Sequence, residues 1–63
     1  MVYIVEYYPT GFKEYATEKI FNNKIKAFQY CNELIKCNAD EISICLYEAY
    51  NEYTVKRKLL KNY

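Results

Sequence analysis

Hydrophobic and polar residues alternate along much of the chain, but follow a helical period in its middle. The run "VYIVEYY" near the start is rich in β-branched and aromatic residues, which predicts a first strand. Pro9 and Gly11 then suit a turn. Residues 12–21, "FKEYATEKIF", alternate well enough for a returning strand. The same run also fits helical spacing at Phe12 and Tyr15, so a helix is the alternative there.

A helix over residues 22–39 is the clearest element that the pattern predicts. Asn22 or Asn23 can cap its start, because an asparagine side chain accepts a hydrogen bond from a free backbone N–H of the first turn. Its apolar residues fall on one broad face, which we expect to pack against a sheet. That face consists of Ile25, Ala27, Phe28, Cys31, Leu34 and Ile35.

Two more strands are predicted after the helix. The run "DEISICLYEAY" alternates, with Ile42, Ile44 and Leu46 on the side expected to meet the helix and Cys45 and Tyr47 on the other side. "NE" then suits a tight turn, and "YTVKRKLL" suits a fourth strand. A C-terminal helix that starts at "VKRKLL" is the alternative, because that segment contains no helix breaker.

The order of elements, β-β-α-β-β, predicts an α+β protein. The expected architecture is a single four-stranded antiparallel sheet with one helix packed on one face, in a single small domain that spans residues 1–63. So short a chain buries about 60% of its unfolded surface, which makes its stability marginal. One helix covers one face, so we expect the other face to be open to solvent, to a second copy or to a ligand.

The amino-acid composition indicates the kind of genome that encodes the chain, but it indicates no catalytic or binding chemistry. Phe, Tyr, Met, Ile, Asn and Lys, whose codons are AT-rich, make up more than half of the chain, whereas glycine and proline occur once each. We therefore expect an AT-rich genome, such as that of a low-GC bacterium or of its phages and mobile elements. The odd cysteine count and the absence of a secretion signal favour a reducing, cytoplasmic location. The sequence contains no apolar run long enough to predict a membrane span.

The sequence offers little for catalysis. It has no histidine, so the usual general base at neutral pH is missing. Asp40 is expected to serve the turn after the helix. The cysteines, at positions 31, 37 and 45, lack the close pairs and the fourth ligand of a zinc site. We expect Cys37 to be the exposed thiol. The prediction is a protein that is not an enzyme and that holds no cofactor or metal.

Four tyrosines are candidate protein-binding residues. Tyr3 and Tyr7 share one side of the first strand, Tyr47 lies on one side of the third strand, and Tyr15 could join them. If these sides coincide, the open face of the sheet is an aromatic platform, and tyrosine is enriched in the hot spots of protein interfaces. The predicted partner is another protein, including a host protein, or a second copy of the chain in a homodimer.

The basic C-terminal segment is the alternative site, for nucleic acid. Lys56, Arg57, Lys58 and Lys61 follow one another without an acidic residue after Glu52. A nucleic-acid-binding domain is usually strongly basic, but the net charge here is +1. Lysines on an edge strand also prevent edge-to-edge aggregation. We therefore favour a cytoplasmic protein-binding miniprotein, in its sharpest form a phage or mobile-element inhibitor of a host enzyme or defence system, over a nucleic-acid-binding protein.

Overall fold

The computed structural model describes residues 1–38 and 41–63, which form one antiparallel sheet with a helix packed on one face. The sheet has the order β2-β1-β3-β4, and α1 connects β2 to β3. The predicted fold class is therefore confirmed. The prediction that Asp40 serves a turn lies outside the described residues. The elements are β1 (Val2–Pro9), a 3-10 turn (Lys13–Tyr15), β2 (Thr17–Phe21), α1 (Lys24–Asn38), β3 (Ile42–Ala49) and β4 (Lys58–Asn62).

The main core lies between α1 and the sheet. Ala27 and Cys31 of the helix are fully buried, and they pack against three fully buried strand residues, Val5, Ile44 and Leu46. The helix begins as predicted, because Asn23 Oδ1 accepts a hydrogen bond from the backbone N–H of Lys26 at 3.0 Å. The helical face and the strand-three face named from the sequence are thus in contact.

Ile25 is not part of this core, although the helical pattern included it. Its side chain is 67% exposed. Ile25 precedes Ala27 by two residues, which is about 200° of helical rotation, so it lies on the side of α1 turned away from the sheet. The apolar stripe is narrower than the sequence suggested.

The register between β1 and β3 decides which strand residues face the helix. Val5 stands opposite Leu46, and Tyr7 stands opposite Ile44. Residues directly opposite each other in a sheet point to the same face, so Tyr3, Val5 and Tyr7 lie beneath α1. The prediction that Tyr3 and Tyr7 share the open face with Tyr47 is wrong. Both faces of β1 carry large apolar residues, so alternation alone did not show which one meets the helix.

The second strand is shorter than predicted, because turns occupy the first residues of the segment. The backbone N–H of Phe12 donates to Pro9 O at 2.8 Å, and Gly11 adopts a φ of +90°, which favours glycine. The 3-10 turn follows, with the N–H of Tyr15 donating to Phe12 O at 3.0 Å. The returning strand therefore begins at Thr17, and the helical alternative for residues 12–21 holds only for this single turn.

The connection between β3 and β4 is a loop of residues 50–57, not a two-residue turn. Asn51 Oδ1 accepts hydrogen bonds from the backbone N–H of Tyr53 and from the hydroxyl of Thr54, both at 2.9 Å. These bonds satisfy the backbone locally and delay the strand. The prediction of a strand over residues 53–60 is correct only at its end, because β4 begins at Lys58. The alternative of a C-terminal helix is wrong.

Candidate functional site

A groove of about 420 Å³ lies at the end of the sheet where β1 ends and α1 terminates. We call it the tyrosine groove. Its described lining combines aromatic and apolar groups with a few polar ones. The lining residues are Tyr7, Tyr8, Pro9, Tyr15, Thr17, Asn38, Glu41 and Ile42.

Two parts of the chain meet at the tyrosine groove, one running from β1 to β2 and the other from the end of α1 to the start of β3. Tyr7 stands opposite Thr17 in the β1–β2 ladder, so the strand register places these two side by side. The 3-10 turn contributes Tyr15, which remains 67% exposed. Phe12 extends the aromatic surface, because its ring centroid lies 6.1 Å from that of Tyr15. The rim of the groove is therefore aromatic and accessible.

Tyr7 is held in place by an aromatic cluster under the helix. The Tyr30 hydroxyl donates to the Tyr7 hydroxyl at 3.2 Å, and the two rings meet edge to face with centroids 6.0 Å apart. Phe21 packs on Tyr30 at 5.3 Å between centroids, and Lys19 Nζ lies 4.7 Å from the Tyr30 centroid. The hydrogen bond to Tyr7, together with burial, raises the pKa of Tyr30 to about 12. One wall of the groove is thus fixed by packing.

The part of the lining that α1 and Glu41 contribute is electronegative. Helix α1 ends at Asn38, whose side-chain amide donates to Leu34 O at 2.8 Å. The last carbonyl groups of a helix carry about half a negative charge. Glu41 adds a carboxylate just before β3. Among the lining residues that the structure describes, no lysine or arginine offsets this charge.

The face of the sheet opposite α1 is partly covered by the chain itself. Arg57 Nη1 lies 2.5 Å from Glu18 Oε2 on β2, while its guanidinium carbon lies 5.8 Å from the ring centroid of Tyr47 on β3. Because β1 lies between β2 and β3, the Arg57 side chain crosses β1. Ile4 of β1 has no exposed surface, although it faces away from the helix. We call this crossing contact the Arg57 clasp.

Local electrostatics fit the Arg57 clasp. The hydrogen bond to Glu18 raises the pKa of Arg57 above its ordinary value, and the nearby carboxylate of Glu6 acts in the same direction. Burial raises the pKa of Tyr47 to about 12, with a smaller contribution from Cys45. Tyr47 is therefore half-buried beside the clasp rather than the centre of an open platform.

The structure separates the four tyrosines proposed from the sequence. Tyr7 and Tyr15 come together in the groove. Tyr3 packs beneath α1, and Tyr47 lies on the opposite face of the sheet. Tyr8 and Glu41 also line the groove but were not singled out. Nothing in the alternation marks these two residues, because their position depends on where β1 and α1 end relative to each other.

The basic residues near the C-terminus do not form one patch. Arg57 is engaged by Glu18 across the sheet. Lys58 stands opposite Glu48 in the β3–β4 ladder, and Lys61 Nζ lies 4.6 Å from the ring centroid of Tyr63. Lys56 is exposed in the loop. Each charge thus has a different environment.

The cysteines are free thiols in separate environments. Cys31 and Cys45 are buried, and Cys37 is exposed as predicted. Burial raises the pKa of Cys31, which lies near the buried Tyr63 hydroxyl. No group of three potential metal ligands occurs among the described residues. No helix in the described part of the chain is long and apolar enough to cross a membrane.

Comparison with known proteins does not assign the chain to a family. No protein-family model, no curated protein and no solved structure matches the chain. The site must therefore be interpreted from its own residues.

Proposed function

We propose that this chain is a non-enzymatic protein-binding module whose tyrosine groove receives a segment of another protein. The observation that carries the proposal is the exposed aromatic rim. Tyr15 and Phe12, which is 51% exposed, stand beside a concave surface lined by two further tyrosines. Exposed apolar groups gathered at one place on a small protein usually mark an interaction site.

Rigidity of the groove supports the same function. The side chain of Tyr7 is already fixed by its hydrogen bond and ring contact with Tyr30. A residue that is ordered before binding loses little conformational freedom when a partner arrives, so more of the contact energy appears as affinity. Tyrosine also provides a large contact area with few rotatable bonds.

The identity of the partner is proposed from composition. The AT-rich coding bias suits a phage or another mobile element, whose small proteins can act by occupying a surface of a host protein. We therefore propose a host enzyme or defence protein in the cytoplasm of a low-GC bacterium as the target, with inhibition as the outcome. A second copy of the chain is the other protein that the groove could receive.

Affinity capture from a nuclease-treated low-GC bacterial lysate tests this function. Phe12→Ser combined with Tyr15→Ser should abolish the capture of a specific protein, because both rings leave the rim. Tyr50→Ser combined with Tyr53→Ser is the matched control, since it removes two exposed tyrosines from the β3–β4 loop instead. Equal capture by both double variants would show that the groove is not the binding surface. Sedimentation of the purified chain would reveal a homodimer.

A further inference from the structure

The charge of the tyrosine groove limits what can occupy it. Its lining includes three tyrosines, the carboxylate of Glu41 and the amide of Asn38 at the end of α1. Aromatic ring faces carry partial negative charge, and so does the C-terminal end of a helix. All three kinds of group favour a positively charged occupant.

The lysines of the two elements beside the groove are not part of its described lining. Lys36 lies in the last turn of α1, and Lys13 lies in the 3-10 turn, yet both are exposed and neither belongs to the described lining. Elsewhere the protein places its own cations over aromatic rings, as with Lys19 over Tyr30 and Lys61 over Tyr63. The described lining of the groove has the same aromatic character and contains no lysine or arginine.

We propose that the tyrosine groove binds an arginine side chain presented by the partner protein. The proposal rests on the protein-binding function proposed above and names the chemistry of the partner. A guanidinium group is planar, so it can stack on a tyrosine ring while its N–H groups donate to a carboxylate. Glu41 is the acceptor, the end of α1 adds partial negative charge, and the tyrosines are the stacking surface.

Arginine suits this site better than lysine because the groove is mostly aromatic. An ammonium group is strongly hydrated and loses more on leaving water, whereas a guanidinium group is more weakly hydrated. The groove, at about 420 Å³, also has room for a whole side chain rather than a single ion. An uncharged side chain of the same shape would lose the attraction of the carboxylate and the ring faces.

Titration with N-acetylarginine amide, followed by the backbone amide signals in NMR spectra, tests this inference. Signals from Tyr8, Tyr15 and Glu41 should move together and saturate. N-acetylcitrulline amide is the matched probe, because it has nearly the same shape without the charge. We expect about three- to ten-fold weaker binding of the citrulline compound, in line with the contribution of an exposed or partly desolvated cation–π contact. Equal shifts with both compounds, or no shifts with either, would overturn the proposal.

Single substitutions then locate the interaction. Glu41→Gln should weaken binding of the arginine compound about three-fold or more, and Tyr15→Leu should weaken it similarly. Glu33→Gln is the control, because it removes an equal charge from an exposed position on α1 outside the groove. A Glu33→Gln variant that loses as much affinity as Glu41→Gln would mean that only the overall charge matters. Spectra of each free variant show directly whether it is folded.

The two proposals fail in different ways. If a protein is captured through Phe12 and Tyr15 but the arginine compound shows no preference over citrulline, the groove binds a partner of another chemistry. If the arginine compound binds selectively but no partner is captured, the arginine site stands and the protein-binding function is wrong.

Discussion

Ile4 is a buried residue on the face of the sheet that the helix does not reach. Its neighbours in the ladders are Ile20 on β2 and Tyr47 on β3. The Arg57 side chain crosses the same strand and can shield the remaining surface through its aliphatic part. The protein therefore has a small second core opposite α1.

Substitution of Ile4 tests this second core. Ile4→Ala should lower the free energy of unfolding by about 2–5 kcal/mol, the usual loss when a fully buried isoleucine is truncated. Ile20→Ala is the control on the same face, because Ile20 is 43% exposed and should cost clearly less. Urea unfolding followed by circular dichroism measures both values. Equal losses at the two positions would show that Ile4 is not specially covered.

The Tyr30–Tyr7 hydrogen bond gives a prediction at high pH. The pKa of Tyr30 is raised to about 12, from an ordinary value near 10, because its neutral hydroxyl is the donor in this bond. The folded state therefore favours the neutral form. The resulting stabilisation is fully present below pH 10 and is lost as the pH rises through about 12.

Removal of the acceptor should shift this titration. In a Tyr7→Phe variant the pKa of Tyr30 should fall towards its ordinary value, whereas the pKa of Tyr47, also about 12, should stay unchanged because burial is its main cause. Carbon-13 NMR of labelled tyrosine rings resolves the two residues. An unchanged Tyr30 titration would show that burial alone, and not the hydrogen bond, controls its pKa.

The Arg57 clasp ties the β3–β4 loop to the far edge of the sheet. The loop connects neighbouring strands, yet its last residue reaches Glu18 on β2, two strands away from β3. Glu52 from the same loop lines a hollow with Val2 and Ile20, which is further evidence that the loop lies towards the β1–β2 side. The loop is therefore a covering element rather than a free connection.

A double-mutant cycle of Arg57→Met and Glu18→Gln should measure a favourable coupling. Because both side chains are partly exposed, we expect about 0.5–1 kcal/mol at low salt and less at 1 M salt, where screening is strong. Arg57→Met with Glu14→Gln is the control cycle, since Glu14 lies in the 3-10 turn. A coupling that is zero at low salt, or equal in both cycles, would contradict the clasp.

Elements with a strong local signal could be predicted from the sequence. The alternation in β1 and β3 and the capped apolar period of α1 placed these three elements correctly. The two connections could not be placed from the sequence. Hydrogen bonds accepted by the Asn51 side chain, and the 3-10 turn after Gly11, form at sites where the residues also suit strands. The Arg57 contact depends on a residue that is distant along the chain.

The candidate site was only partly predictable for the same reason. Tyr7 and Tyr15 were named from the sequence, but as parts of an aromatic platform on the open sheet face, and that platform does not form. The register of β1 against β3 is a tertiary property, and a shift by one residue exchanges the two faces. Glu41 lies three positions after the last residue of α1, yet no local pattern shows that it lines a groove with residues of β1 and the 3-10 turn.

At the scale of the whole molecule, charge argues against nucleic acid as the main partner. The net charge is +1, so the protein as a whole generates little long-range attraction for a polyanion. The basic residues of the C-terminal segment also lie in different surroundings. Arg57 forms an ion pair with Glu18, and Lys58 stands opposite Glu48. A phosphate backbone needs several cations along one path.

We therefore expect no saturable micromolar binding of a labelled single strand or duplex at about 0.15 M salt, measured by fluorescence anisotropy. Four phosphate contacts would instead give a log–log salt slope of roughly −3 to −4, because each neutralised phosphate releases counterions. Lys56→Glu combined with Lys58→Glu would then remove binding, whereas Lys24→Glu combined with Lys36→Glu, the charge-matched control on α1, would not. That combination of results would make the basic segment a nucleic-acid-binding site and would reverse the ranking of the two functions.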